Sequence, residues 1–159
     1  MTMAKSYKRI LVPLDGSQLA EQALEDAKAV VSGKEDCLIT LLRVVEPLLR
    51  DWLVDYVNVE EYKDAEKRYE SDAKDYLINI AKELTRAGMR VEVELIVGGA
   101  ADSAILDYAK ENKIDLIIIS THGRSGVRRW IFGSVTQRVL RHSPLPVLVV
   151  PSYGYRQAK

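Results

Sequence analysis

Hydrophobic residues follow two different patterns along this chain, and the two patterns alternate. Five short runs consist largely of Val, Ile and Leu, and they cover residues 10–12, 38–45, 91–97, 116–119 and 147–150. Nearly continuous apolar runs of this length are typical of strands that are buried on both faces of a parallel sheet. We therefore predict five such strands, covered by helices on both sides.

Between these runs, apolar residues recur at every third or fourth position, which is the spacing of an amphipathic helix. The stripes lie within residues 20–31, 62–84, 101–109 and 134–140. We interpret them as the core-packing faces of four helices, the second of which closes at Ala87 and Gly88. The alternating order predicts an α/β fold with three α/β/α layers and right-handed crossovers. We assume the Rossmann-like or flavodoxin-like strand order 3-2-1-4-5 for its sheet.

Length, charge and cysteine content narrow the class of protein. A chain of 159 residues is the size of one domain, which we assign to residues 1–159 with a core of about 7–151. Lys and Arg together number 23, as do Asp and Glu, so the net charge of zero argues against binding to nucleic acid. The single cysteine, Cys37, lies in an apolar run, and we expect it to be buried rather than reactive.

No segment has the pattern of a membrane or targeting element. The longest apolar runs fall well short of the roughly 20 residues that cross a bilayer, and residues 1–7 do not resemble a signal peptide. We therefore expect a cytoplasmic protein without membrane contact.

The connection between the second strand and the second helix does not fit the simple scheme. Residues 46–58 are long for such a connection and unusually apolar, with Trp52, Tyr56 and several Leu and Val side chains. Three interpretations stay open for this segment: a flap packed on its own domain, a lid over a ligand, or a surface for an unknown protein partner.

Two loops are candidates for a ligand site. In open α/β sheets, ligands bind beyond the carboxyl ends of the strands, where the strand order reverses. In the predicted order this point lies between strands 1 and 4. The loops that follow these strands, residues 12–17 and 120–126, both combine glycine with small polar side chains.

The start of the fourth helix indicates that the ligand is an anion. Ser134 and Gln137 have the spacing of a capping box, which predicts Ser134 as the N-cap residue. Free backbone N–H groups behind Gly133 can then hold a phosphate, with the hydroxyls of Ser134 and Thr136 as further donors.

The distribution of charge supports the same place. Residues 120–151 include no Asp or Glu but five arginines, at positions 124, 128, 129, 138 and 141. We assign Arg124 to the phosphate and leave Arg138 and Arg141 open between this role and a solvated helix face.

Asp15 has two interpretations. It contacts a ribose hydroxyl or a nucleotide-bound Mg²⁺, or it is a turn residue with Gly16 and Ser17. His122 and His142 have no matching ligands nearby in the sequence, so we predict no protein-held metal. The usual Gly-rich phosphate motifs are absent, and no residue is placed as a general base, so the chain is at most a slow ATPase.

The same residues resemble the universal stress protein family. The resemblance rests on residues 10–17 (ILVPLDGS), residues 118–126 (IISTHGRSG), Gly133-Ser134-Val135 and residues 146–150 (PVLVV). It implies an adenine nucleotide alpha hydrolase-like fold, a homodimer, a regulatory role in the stress response and, in one subclass, bound ATP. That subclass has a motif of Gly, two residues, Gly, nine residues, then Gly-Ser or Gly-Thr, and Ser120 replaces the first of these glycines.

The resemblance also implies which residues touch the nucleotide. Adenine and ribose would be held by Pro13, Leu14, Asp15 and Val44, and the phosphates by Gly123, Gly133, Ser134 and Val135. The predicted site further includes Ile119, Ser120, His122, Arg124 and Thr136. The Ser120 side chain either crowds the nucleotide or donates to it. The alternative function is a dimeric interaction module that binds no nucleotide.

The last strand predicts the dimer contact. Val147, Leu148, Val149 and Val150 form an apolar strand that the predicted order places at a sheet edge. Such an edge pairs with another chain unless it is covered. We expect a two-fold pairing of these strands, the alternative being coverage by residues 152–159.

Overall fold

A computed structural model describes residues 6–47, 59–121 and 132–151. It contains a five-stranded parallel sheet of order β3-β2-β1-β4-β5, as predicted. The strands are β1 (Arg9–Pro13), β2 (Leu38–Val45), β3 (Arg90–Val97), β4 (Leu116–Ser120) and β5 (Val147–Val150). Their positions agree with the apolar runs to within one residue at either end.

The helices are α1 (Gln18–Glu21), α2 (Ala23–Val31), α3 (Val59–Arg86), α4 (Ala101–Glu111) and α5 (Ser134–His142). The prediction of one helix over 20–31 is wrong in detail, because Gln22 separates α1 from α2. Gln22 has φ −60° and ψ −26°, so the chain direction and the buried stripe continue through the break. Gly88, at φ +87°, closes α3, and the N–H of Met89 donates to the carbonyl of Leu84 at 3.1 Å. The predicted end of this helix is therefore confirmed.

The central strands are buried on both faces because alternate side chains point to opposite sides of the sheet. One cluster packs under α1, α2 and α3 and includes Ile10, Val12, Ile39, Leu41 and Leu77. The other packs under α4 and α5 and includes Leu11, Leu42, Ile105, Ile117 and Val139. The three-layer architecture follows directly from these two cores.

The prediction that all strands and helix stripes are buried is wrong for the edge strand β3 and for two helix residues. β3 is an edge strand whose side chains are only partly buried, and its Glu92 accepts a hydrogen bond from the Thr40 hydroxyl at 2.6 Å. Ala65 of α3 and Leu140 of α5 are exposed rather than core residues. α3 has 28 residues, about 42 Å at 1.5 Å per residue, so it is longer than the strands it covers. Leu140 follows the buried Val139 and points away from the core.

The single cysteine lies in the core of the fold. Cys37 is buried, and its thiol donates to the carbonyl of Tyr7 at 3.1 Å, which confirms the expected packing role. Residues 48–58 of the apolar connection lie outside the described residues. Within the described residues, no helix is long and apolar enough to cross a membrane.

Candidate functional site

A cavity of about 290 Å³ lies at the switch point of the sheet, beyond the carboxyl ends of β1, β2 and β4. Ten of its lining residues belong to the predicted site: Pro13, Leu14, Asp15, Val44, Ile119, Ser120, Gly133, Ser134, Val135 and Thr136. The other three predicted residues, His122, Gly123 and Arg124, lie outside the described residues. The cavity therefore brings together every predicted residue that the structure describes.

Four lining residues were not predicted: Ala20, Leu42, Ala101 and Ile105. For Leu42, Ala101 and Ile105, the spacing along the chain could have indicated that they share a face with other residues of the site. Leu42 precedes Val44 by two positions on β2 and so shares its face, and Ala101 and Ile105 are one helical turn apart on α4. The sequence did not show that α4 packs over the carboxyl end of β2, and this packing is what brings the residues into one cavity wall.

The turn after β1 presents Asp15 to the cavity. The Ser17 N–H and hydroxyl both donate to Oδ1 of Asp15, at 2.9 and 2.6 Å. Ser17 in turn caps α1 by accepting from the N–H of Ala20 at 3.1 Å. These bonds confirm the turn interpretation of Asp15. Asp15 also lines the cavity, so its position is compatible with a contact to a ribose hydroxyl or to Mg²⁺.

Arg43 of β2 packs behind this turn and is only 8% exposed. Its Cζ lies 5.1 Å from the ring centroid of Tyr76. The phenol of Tyr76 donates to Oε1 of Glu21 at 2.9 Å, and burial together with this bond raises the pKa of Tyr76. The phenol therefore stays a protonated donor, and Arg43, Tyr76 and Glu21 link α3 to the β1–α1 turn.

Gly16 is the point where Arg43 meets the turn, and we expect it not to tolerate a side chain. Its φ is +86°, and an added Cβ would lie 3.1 Å from Nη2 of Arg43. Gly33 is a matched control, because its φ is +72° but nothing lies within 4 Å of its Cβ position. We expect Gly16→Ala to lower the free energy of unfolding by about 1 kcal/mol more than Gly33→Ala, because the buried guanidinium of Arg43 must shift away from the new methyl group and its contact with the Tyr76 ring is perturbed. Urea denaturation measures both losses, and equal losses would contradict the Arg43 contact.

The start of α5 differs from the prediction. The N-cap residue is Gly133, not Ser134, because the carbonyl of Gly133 accepts the first helical bond, from the N–H of Gln137 at 2.9 Å. No side chain of the described residues caps this end, so the predicted capping box is wrong. The N–H of Gly133 donates to the carbonyl of Thr121 at 2.8 Å, which docks the helix start on the end of β4.

Thr136 has a structural bond that the sequence did not reveal. Its hydroxyl is buried and donates to the backbone carbonyl of Ser120 at 2.8 Å. The predicted role of this hydroxyl as a phosphate donor is wrong, since its proton is already used. The backbone N–H groups of Ser134, Val135 and Thr136 precede the first helical bond, and these remain the donors at the helix start.

α4 also begins at the cavity. Its N-cap residue, Ala100, makes no side-chain capping bond, and the next residue, Ala101, lines the cavity. Oδ1 of Asp102 lies 3.5 Å from Nη1 of Arg138 on α5, which joins the two helices. Arg138 is therefore paired with a neighbouring helix, and its side chain is 61% exposed. Arg141 lies on the exposed face of α5.

The described residues contain no group of three His, Cys, Asp or Glu side chains that could hold a metal ion. Asp15 is the carboxylate of the cavity wall.

Comparisons with known proteins point to one family. The profile of the universal stress protein family matches residues 6–151. Universal stress protein MJ0577 of Methanocaldococcus jannaschii is 35% identical over 159 residues, covering 93% of this chain and 97% of that protein. The solved structure of MJ0577 has a TM-score of 0.79 at 32% identity, covering 94% of this chain and 99% of that one.

Two more distant structures share the fold. One is a universal stress protein in complex with cAMP, with a TM-score of 0.68 at 21% identity; the match covers 94% of this chain and 100% of that one. The other is a universal stress protein family protein of Arabidopsis thaliana with AMP bound, with a TM-score of 0.63 at 19% identity and 92% of each chain covered.

Proposed function

Because this chain belongs to the universal stress protein family, we propose that it binds ATP, alone or with Mg²⁺, in the cavity at the switch point. The observation that carries the proposal is the convergence of two helix starts without side-chain caps, those of α4 and α5, on one cavity. Unbonded backbone N–H groups and the positive end of the helix dipole together favour an anion. Such an arrangement suits the phosphates of a nucleotide.

The cavity wall is divided in a way that suits the two halves of a nucleotide. Leu42, Val44 and Ile105 form an apolar part on the α4 side of the sheet. Asp15 and the helix start at Gly133 and Ser134 form the polar part. We assign adenine to the apolar part, the ribose to the neighbourhood of Asp15 and the phosphates to the start of α5.

The ligands of family members support an adenine nucleotide. The solved family members with bound cAMP and AMP share the fold of this chain, and their ligands have the adenine ring and ribose in common with ATP. We further propose, from membership of the family, that the protein is cytoplasmic and that the bound nucleotide regulates its part in the stress response.

We also propose a homodimer through β5. β5 is the last strand of the sheet, and Leu148 on it is 38% exposed. The carbonyls of Pro146 and Val150 accept bonds from the N–H groups of Ile117 on β4 and of Thr121 just after it, at 3.0 and 2.9 Å. Since backbone groups alternate sides along a strand with a period of two residues, the N–H and C=O groups of Val147 and Val149 point toward the open edge, where a second copy can pair with them.

Calorimetric titration of nucleotide-stripped protein with ATP tests the proposal. We expect a dissociation constant below about 100 μM, which corresponds to more than roughly 5 kcal/mol of binding. GTP should bind more weakly because it lacks the adenine ring, and the titration is repeated with and without Mg²⁺. The proposal fails if ATP gives neither heat nor thermal stabilisation, which would favour an interaction module that binds no nucleotide.

A further inference from the structure

Ser120 carries a buried hydroxyl that has no hydrogen-bond partner within the described residues. The residue ends β4 and is 4% exposed. Its backbone carbonyl accepts the bond from Thr136 that docks α5, so the hydroxyl itself is not needed to hold strand and helix together. A buried hydroxyl without a partner destabilises a protein, which makes its presence here informative.

Two other buried hydroxyls, those of Thr40 on β2 and Thr136 on α5, are satisfied. The hydroxyl of Thr40, a residue with no exposure, donates to Glu92 at 2.6 Å. The hydroxyl of Thr136 donates to the Ser120 carbonyl. Ser120 differs from both because it lines the cavity and its hydroxyl has no partner in the part of the chain that the structure describes. Its unsatisfied group therefore lies in a residue that a bound molecule can touch.

The position of Ser120 indicates which part of a ligand it meets. Ser120 lies at the end of β4, and its carbonyl accepts the bond that docks α5. The start of α5 belongs to the polar part of the cavity wall. The apolar part, with Val44 and Ile105, lies toward β2 and α4. Rotation of the serine side chain about χ1 offers its hydroxyl three staggered directions.

We infer that the Ser120 hydroxyl is a ligand-binding group that hydrogen-bonds the ribose–phosphate part of the bound nucleotide. The inference rests on the proposed function and refines it. The motif of the ATP-binding subclass has glycine at this position, so the contact is a feature of this chain rather than of the motif. Ser120 then contributes affinity where a glycine contributes only space.

If the serine side chain instead crowds the nucleotide, its removal changes ATP affinity in the opposite direction. If Cβ and Oγ occupy space that the nucleotide needs, removing them raises affinity. If the hydroxyl bonds the nucleotide, removing it lowers affinity, and the free protein loses no bond. The combination of weaker binding with undiminished stability of the free protein is specific to a hydroxyl whose partner is the ligand.

The experiment compares wild type, Ser120→Ala, Ser120→Gly and the control Thr40→Val. ATP affinity is measured by calorimetry, and the stability of the nucleotide-free protein by urea denaturation. We expect both Ser120 variants to bind ATP about tenfold more weakly, equivalent to about 1.4 kcal/mol. Free Ser120→Ala should be at least as stable as wild type. Thr40→Val should show the reverse, with lower stability because a partnered hydroxyl is lost and with unchanged ATP affinity.

Two results would overturn the inference while leaving the proposed function in place. Equal or tighter ATP binding by Ser120→Ala would mean that the hydroxyl is neutral or crowds the ligand. A loss of stability in free Ser120→Ala as large as that of Thr40→Val would mean that the hydroxyl already has a partner, such as a bound water. A wild-type protein that binds no nucleotide would instead reject the proposed function, and this inference with it.

Discussion

Gly133→Val is expected to weaken ATP binding at least a hundredfold while the protein stays folded. The backbone at Gly133, with φ −55° and ψ 151°, is one that any residue can adopt. An added Cβ would lie 3.4 Å from the carbonyl oxygen of Thr121, which is an ordinary contact. Folding therefore does not require glycine here. Phosphate binding does require glycine, because a side chain at this position would keep the phosphate away from the free N–H groups of the helix start.

Calorimetry and urea denaturation of the same samples separate binding from folding. A hundredfold loss of affinity corresponds to about 2.8 kcal/mol, whereas replacing an N-cap glycine should change the free energy of unfolding by about 1 kcal/mol or less. Gly133→Ala serves as a graded control and should lose part of the affinity, because its side chain is one carbon. Unchanged affinity in Gly133→Val would remove the start of α5 from the phosphate site.

Leu148→Lys is expected to convert the proposed homodimer into monomers. Two-fold pairing of β5 with its copy would bring equivalent side chains near each other across the interface. Two lysines there repel each other, and they replace apolar side chains that the pairing would bury. We expect dimerisation to weaken by at least tenfold, or about 1.4 kcal/mol, as measured by light scattering after size-exclusion chromatography over a dilution series.

Val97→Lys is the matched control for the dimer. Val97 ends β3, the other edge strand, and is 43% exposed, close to the 38% of Leu148. The same apolar-to-charged change is thus made at both edges of one sheet. If only the β5 variant dissociates, the dimer forms through the last strand. Dissociation of the Val97 variant alone would transfer the interface to β3, and a monomeric wild type would reject the dimer.

Patterns in the sequence were sufficient for the central architecture. Residues 10–12, 38–45 and 116–119 are apolar throughout or nearly so, because strands buried on both faces leave almost no position for a polar side chain. The alternation of strands and helices then restricts the order of the sheet to a few possibilities, and the strand order of the structure matches the predicted one. The loops after β1 and β4 follow from that order, and so does the position of the cavity between them.

Local patterns were insufficient where a residue's role depends on a distant partner. Ser134 and Gln137 have the spacing of a capping box, yet Gly133 is the N-cap residue. The reason is tertiary: the N–H of Gly133 bonds to Thr121 and the hydroxyl of Thr136 bonds to Ser120. These two bonds set the start of α5 against the end of β4 and outweigh the local preference for a serine cap.

The sequence by itself determined the five buried strands and restricted the strand order and the switch point to a few possibilities, because burial on both faces and alternating periodicity act over a few neighbouring residues. It also determined most of the residues that line the cavity. Only the tertiary structure decided that Arg43 backs the Asp15 turn, that Ala101 and Ile105 close the cavity, and that the buried Ser120 hydroxyl has no partner among the residues that the structure describes. Each of these depends on side chains from separate elements meeting in space, and no spacing along the chain encodes that meeting.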